Sequence, residues 1–275
     1  MLLPILIGPA VADALHGVDP GPRTATSAAL WVCWALCLMA TLVPLPATLT
    51  VLRLGGPAVA ALAVWSATVA DDIVHIGLGL LAGALTVLTS FAAPVADRFV
   101  DGASYGEERR FLLRAPGPVV LVLGPLATAV AVAGATVGPV LLLHSRWVTG
   151  AVVTAAGLPL TILSLRSLHR LALRWIVLVP AGFVLHDHLS LAEPTLLQRS
   201  GLTQLGAAPV DTKADDFTQQ ARGLAIEVRC RKPHEVLSVG SRLGAEVHSI
   251  EAFLCAPVRP HVVLAEAARR RLPVN

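Results

Sequence analysis

Charge is scarce in this chain. Only 14% of its 275 residues are Asp, Glu, Lys or Arg, whereas 55% are hydrophobic. An average soluble domain carries about 25% charged residues, so the polar surface that a wholly water-soluble fold needs is missing. Lysine is nearly absent, at Lys213 and Lys232 alone, while arginine is abundant, which reflects a GC-rich bacterial genome more than a function. A net charge of +3 is too small to imply a nucleic-acid partner. The four cysteines, Cys33, Cys37, Cys230 and Cys255, show neither CxxC nor Cys/His metal spacing, and the expectation for all of them is packing. Enzyme signatures are also missing: HExxH, the P-loop and a GxGxxG following a strand. Nor are there the repeated acidic pairs that would hold a magnesium-bound diphosphate. The reading is therefore non-catalytic, with no cofactor.

What charge there is lies unevenly. From Ala25 to Ala96 it is confined to Arg53, Asp71 and Asp72, and after Arg166 it recurs every few residues. Two solvents along one chain, lipid first and water second, explain that asymmetry. About 20 apolar residues cross the hydrocarbon core as a helix. Ala28–Leu49, Ile73–Val95, Pro118–Leu143 and Trp147–Leu165 meet that length, and Leu54–Ala70 is shorter but uncharged, giving about five transmembrane helices. Trp31, Trp34 and Trp147 sit near span ends, where indole rings favour the interface. Residues 1–26 remain unassigned, because Leu2–Ala14 suits an interfacial or re-entrant segment better than a span. The helical region is expected over 27–166, with a cytoplasmic loop at 97–114.

Arginine sets the expected orientation. Arg53 falls between the first two spans, Arg98, Arg109, Arg110 and Arg114 between the third and fourth, and Arg166, Arg170 and Arg174 after the fifth. Alternate loops hold only Asp71 and Asp72, or Arg146. The pattern predicts a multi-pass protein of the plasma membrane with its N-terminus outside and its C-terminus in the cytoplasm, where thiols stay reduced. Pro44, Pro46, Gly124, Pro125, Gly138, Pro139, Gly157 and Pro159 recur within the expected spans. Gly77, Gly79 and Gly83, with Ala82 and Ala84, form a small-residue face for close helix packing.

From Arg174 the periodicity becomes alternating. Trp175–Val179 and Phe183–Leu185, split by Pro180-Ala181-Gly182, read as a hairpin. Thr195–Gln198, Leu224–Cys230, Glu235–Val239 and Val247–Cys255 add strands, and His261–Arg271 reads as an amphipathic helix behind Pro260. The expected fold is thus a membrane α-helical bundle plus a small cytoplasmic α+β domain at 167–275, antiparallel strands closed by a C-terminal helix. That element order resembles the bacterial pleckstrin-homology-like (PH-like) domains that follow membrane helices. Two segments, Phe99-Val100-Asp101-Gly102-Ala103-Ser104-Tyr105-Gly106-Glu107-Glu108-Arg109-Arg110 and Arg174-Trp175-Ile176-Val177-Leu178-Val179-Pro180-Ala181-Gly182, resemble those of a group of actinobacterial integral membrane proteins. The group brings no established activity, so the resemblance implies architecture alone.

Three groups of polar residues are candidates for chemistry. Asp71, Asp72 and His75 lie within one helical turn and have the composition of a proton relay or a divalent-metal site. His186 and His188 share one face of an extended strand, as two imidazoles for a metal. The loop carrying Tyr105, Glu107, Glu108, Arg109 and Arg110 is expected to dock on the C-terminal domain through Arg–carboxylate pairs, with Phe99, Tyr105 and Phe111 as apolar anchors. The leading expectation is an adaptor or accessory subunit of a membrane or envelope complex, its partners being the lipid bilayer and a protein at the cytoplasmic face. The alternative is a small transporter or channel component using Asp71, Asp72 and His75.

Overall fold

The structure, a computed structural model, describes residues 2–239 and 245–275. It divides into a helical unit (1–96 and 126–169) and a sheet unit (97–125 and 170–275). Among the described residues, five helices are long and apolar enough to cross a membrane: α2 (Pro20–Leu42), α3 (Pro46–Ala67), α4 (Ile73–Ser90), Val119–Leu143 and α7 (Trp147–Leu171). The fourth begins as a π-helical turn, Val119–Leu123, and continues as α6 (Gly124–Leu143). Pro125 offers no N–H to the carbonyl one turn back, and the widened turn precedes it.

The first boundary differs from expectation. Pro44 and Pro46 do not lie inside a span: the chain breaks at Val43–Leu45, and Pro46 opens α3, where a missing N–H costs nothing. Arg53 is consequently not in a loop but about 10 Å along α3. Likewise α7 runs on to Leu171, so Arg166 and Arg170 are helical. The unassigned N-terminal stretch contains α1 (Leu3–Ala14), at about 18 Å too short to cross the core. Ile7, Val11 and Leu15 from α1 and its end form a buried cluster with Ala63 of α3.

Small residues set the helix spacing. A Cβ on Gly83 would stand 3.0 Å from Ala60 Cα, which holds α3 and α4 at near backbone contact. Gly79 faces Ile7 and Ala10 of α1, whereas Gly77 faces open space. In the α6–α7 hairpin a Cβ on Gly134 would lie 2.6 Å from the Gly157 carbonyl, and Thr161 Oγ1 donates to the Ala131 carbonyl (3.2 Å).

The sheet unit contains two four-stranded sheets. One runs β1 (Arg109–Leu112), β2 (Trp175–Val179), β3 (Gly182–His186), β4 (Thr195–Gln198) in spatial order, all antiparallel. The other is ordered β5 (Leu202–Ala207), β7 (Ile226–Val239), β8 (Ala245–Cys255), β6 (Asp215–Asp216). Helix α8 (Pro260–Arg269) follows. The two expected strands at 224–230 and 235–239 are one strand, β7, whose register on β8 shifts between Arg229 and His234. Leu224, where the first of them was expected to begin, is outside the strand and exposed. Gly182 at the β2–β3 turn has φ +155°, and a Cβ there would reach 2.1 Å from the Leu197 carbonyl oxygen. Inward residues Ile176, Leu178 and Phe183 from one sheet and Ile226, Val228 and Phe253 from the other are almost fully buried in one core. All four cysteines are free.

Segment 97–125, which includes the loop 97–114 assigned to the helical region and expected to dock on the C-terminal domain, belongs to the sheet unit. The reason is β1, whose residues pair with β2 from Arg109↔Leu178 to Leu112↔Trp175.

Candidate functional site

The most elaborated polar site is the attachment of 97–114 within the sheet unit. Helix α5 (Ala93–Asp101) supplies two carboxylates to it. Asp97 Oδ1 accepts from the Leu112 N–H (3.2 Å), and Asp101 accepts from Ser104 Oγ (2.9 Å) and the Arg110 N–H (3.0 Å). Arg109 Nε lies 3.1 Å from Asp101 Oδ2. Glu108 Oε1 accepts from Arg110 Nη2 (2.6 Å) and the Tyr105 N–H (2.6 Å), and the Arg110 guanidinium lies 5.3 Å from the Trp175 ring centre. Arg270 beyond α8 donates to the Glu107 carbonyl (2.5 Å). Past β1, Leu113 N–H donates to the Arg174 carbonyl (3.0 Å) and Arg114 N–H to the Ala256 carbonyl (2.8 Å). The loop is thus held from β2, from the turn before α8 and from its end.

Phe99 and Phe111 are buried as expected of anchors, but Tyr105 is not an anchor: it is 89% exposed at the loop tip beside Gly106, which adopts the left-handed φ of +59°.

Behind β1 lies a buried ion pair that the sequence reading missed. Arg174 Nε and Nη2 donate to the two oxygens of Asp187 (2.6 and 2.7 Å), and Nη1 donates to the Arg114 carbonyl (3.0 Å). Both residues are 1% exposed. Asp187 also accepts from the Leu189 N–H and Ser190 Oγ, each 3.0 Å. A planar fork on a carboxylate, every oxygen occupied, satisfies a charge taken out of water. Asp97 is the contrasting case. Its Oδ2 is buried without a hydrogen-bond donor, with Arg259 Nη1 4.0 Å away, and burial pushes its carboxyl up to about 6.

His186 and His188 flank that ion pair. Burial pushes both imidazoles below their ordinary value, and His186 meets Trp175 edge-on (4.8 Å between ring centres). The carboxylate between them is committed to Arg174. Among the described residues no three His, Cys, Asp or Glu side chains are placed to hold a metal ion.

In the helical unit, Asp72 caps α4: its Oδ1 accepts from the N–H groups of Val74 (2.8 Å) and His75 (3.1 Å), which hold its carboxyl below the usual range. His75 Nδ1 lies 3.1 Å from Asp13 Oδ2 and 3.8 Å from Asp72 Oδ2. The cluster's third member is therefore Asp13, from α1, and Asp71 is exposed beside it. Sixty-two positions separate Asp13 from His75, so no local spacing signals the pair.

Gly102-Ala103-Ser104-Tyr105-Gly106 spells the G-x-S-x-G of a nucleophile elbow, a match that the reading of enzyme signatures overlooked. An elbow turns from strand to helix. This segment turns from helix α5 to strand β1, and Ser104 Oγ bonds to Asp101, not to a histidine. No known protein family, curated protein or solved structure matches the chain.

Proposed function

We propose that this chain is a multi-pass protein of the plasma membrane whose sheet unit serves at the cytoplasmic face as a non-catalytic adaptor, holding a partner protein in a membrane or envelope complex. The observation that carries the reading is β1. The sheet unit is assembled from two segments, so the chain passes between units at three points, near 97, 125 and 170. Such a module has far less freedom than one hung on a single linker, which suits an anchored adaptor. Two sheets, antiparallel except for short β6 on β8, followed by α8 support a PH-like module, in which binding surface takes the place of a reaction centre.

Parity supports the topology. Residues 109–112 bond to 175–178, so both segments lie on one side of the bilayer, and the two spans between them return the chain to that side. Three spans precede β1, which puts the start of α2 on the other side. Arginines 98, 109, 110, 114, 166, 170 and 174 gather on the sheet-unit side, and by the positive-inside rule that side is the cytoplasm. Purification in mild detergent with crosslinking tests the adaptor role. A defined co-purifying protein is expected; a chain that remains alone under all conditions counts against it.

A second reading, a transporter or channel component, draws on the grip of His75 on both Asp13 and Asp72. Ion or solute flux that persists unchanged in the Asp72→Ala/His75→Ala variant removes it.

A further inference from the structure

Arg53 is a charge without a counter-charge. It projects from α3 about 10 Å past Pro46. Its Nε is buried and lacks a hydrogen-bond acceptor, its guanidinium sits 5.9 Å from the Phe91 ring centre, and it enters no ion pair among the described residues. The helical unit cannot supply a carboxylate. Its four acids are Asp13, Asp19, Asp71 and Asp72. Asp71 and Asp72 follow the far end of α3, about 20 Å along the helix, and Asp13 is beside His75 at that end. Asp19 precedes α2, a full helix length from the α2–α3 break.

The polar groups nearest along the same face carry no negative charge: the Thr50 hydroxyl donates to the Pro46 carbonyl (3.3 Å). Thr50, one turn earlier on the same face and buried, lies 3.0 Å from His169 Nδ1 of α7, a hydrogen bond whose direction follows the histidine tautomer. Arg53 is half-buried, and a guanidinium with an unpaired buried Nε is costly, a cost that proteins meet by pairing it.

We propose that Arg53, together with His169 positioned by Thr50, forms a site for a phosphate group, supplied by an anionic phospholipid of the leaflet on the α3 N-terminal side. The guanidinium fork matches two phosphate oxygens, and its depth is within reach of a head group drawn slightly inward. The inference rests on membrane insertion but not on the adaptor role.

The test uses the full chain in zwitterionic detergent, its unfolding followed by tryptophan fluorescence. Phosphatidylglycerol is expected to raise Tm by about 5 °C over phosphatidylcholine. Arg53→Gln should abolish the difference, Thr50→Ala should reduce it, and Arg146→Gln, an exposed arginine of the same unit, should keep it. Inorganic phosphate is the second arm: an Arg53-dependent shift with it alone assigns the site to free phosphate and overturns the lipid. Equal shifts in wild type and Arg53→Gln overturn the site. Should Arg53→Gln fail to fold, native mass spectrometry of the wild type decides: bound phosphatidylglycerol supports the site, and none overturns it. Release of the chain from membranes by alkaline carbonate would sink the membrane reading itself, a separate failure.

Discussion

At the scale of single residues, two buried carboxylates of the sheet unit have contrasting partners. Asp97 titrates near 6 in the fold against an ordinary value of 3.8, because burial disfavours its ionised form. The unfolded chain releases that proton first, so stability falls as pH rises from about 4 to 6 and is level above. The loss is about 3 kcal/mol at most. Asp97→Asn keeps an acceptor for the Leu112 N–H and is expected to remove this slope and stabilise the protein at pH 7, measured by urea unfolding across that range. Asp187 differs in being met on both oxygens by the Arg174 guanidinium. Asp187→Ala strands Arg174 in the core and should cost about 3–5 kcal/mol. The paired change Arg174→Met/Asp187→Leu, measured the same way, should recover most of it, since two apolar groups leave no charge unmet. Neither role was legible locally. Asp187 reads as the residue between two strand histidines and Arg174 as one of the arginines that set orientation until the fold brings them within 2.6 Å.

At the scale of elements, the decisive one is the shortest. Four residues, Arg-Arg-Phe-Leu, carry no strand signal by themselves, and β1 exists because β2 offers an unpaired edge and Phe111 fills the core to 2% exposure. Residues 170–275 alone therefore lack an edge strand and the carbonyl partner of Arg174. That fragment is expected to aggregate or give a poorly dispersed NMR spectrum. Joining 97–114 to its N-terminus through a Gly/Ser linker should restore dispersion, and a well-folded 170–275 would show that β1 is dispensable. The α6–α7 hairpin offers a parallel case. Gly157→Leu puts a side chain where a Cβ alone would stand 2.8 Å from the Gly134 carbonyl oxygen, so the two helices must part. Loss of a disulfide engineered between them reports that parting.

At the scale of the whole molecule, the proposed membrane reading requires the two ends of the α6–α7 hairpin to share one side of the bilayer. Reporters inserted at Gly106 and after Asn275 are expected to share a side, and one at Arg146 to report the other. A split between Gly106 and Asn275 would be incompatible with the β1–β2 pairing in a membrane. Five apolar helices, alternating strands β2 to β4 and the closing helix α8 were all readable from the chain. Each is written in a local period, 3.6 or 2, and in the length of an uncharged run.

What the sequence determined by itself is therefore the identity of its elements and the two solvents they suit, since hydrophobic content and periodicity are properties of neighbours in the chain. Only the tertiary structure decided which segments belong together: β1 in the sheet unit, Asp13 beside His75, and Arg174 on Asp187. Those pairings join residues far apart in the chain, and their energy comes from burial and from charges met at close range. Neither quantity exists before the chain has folded.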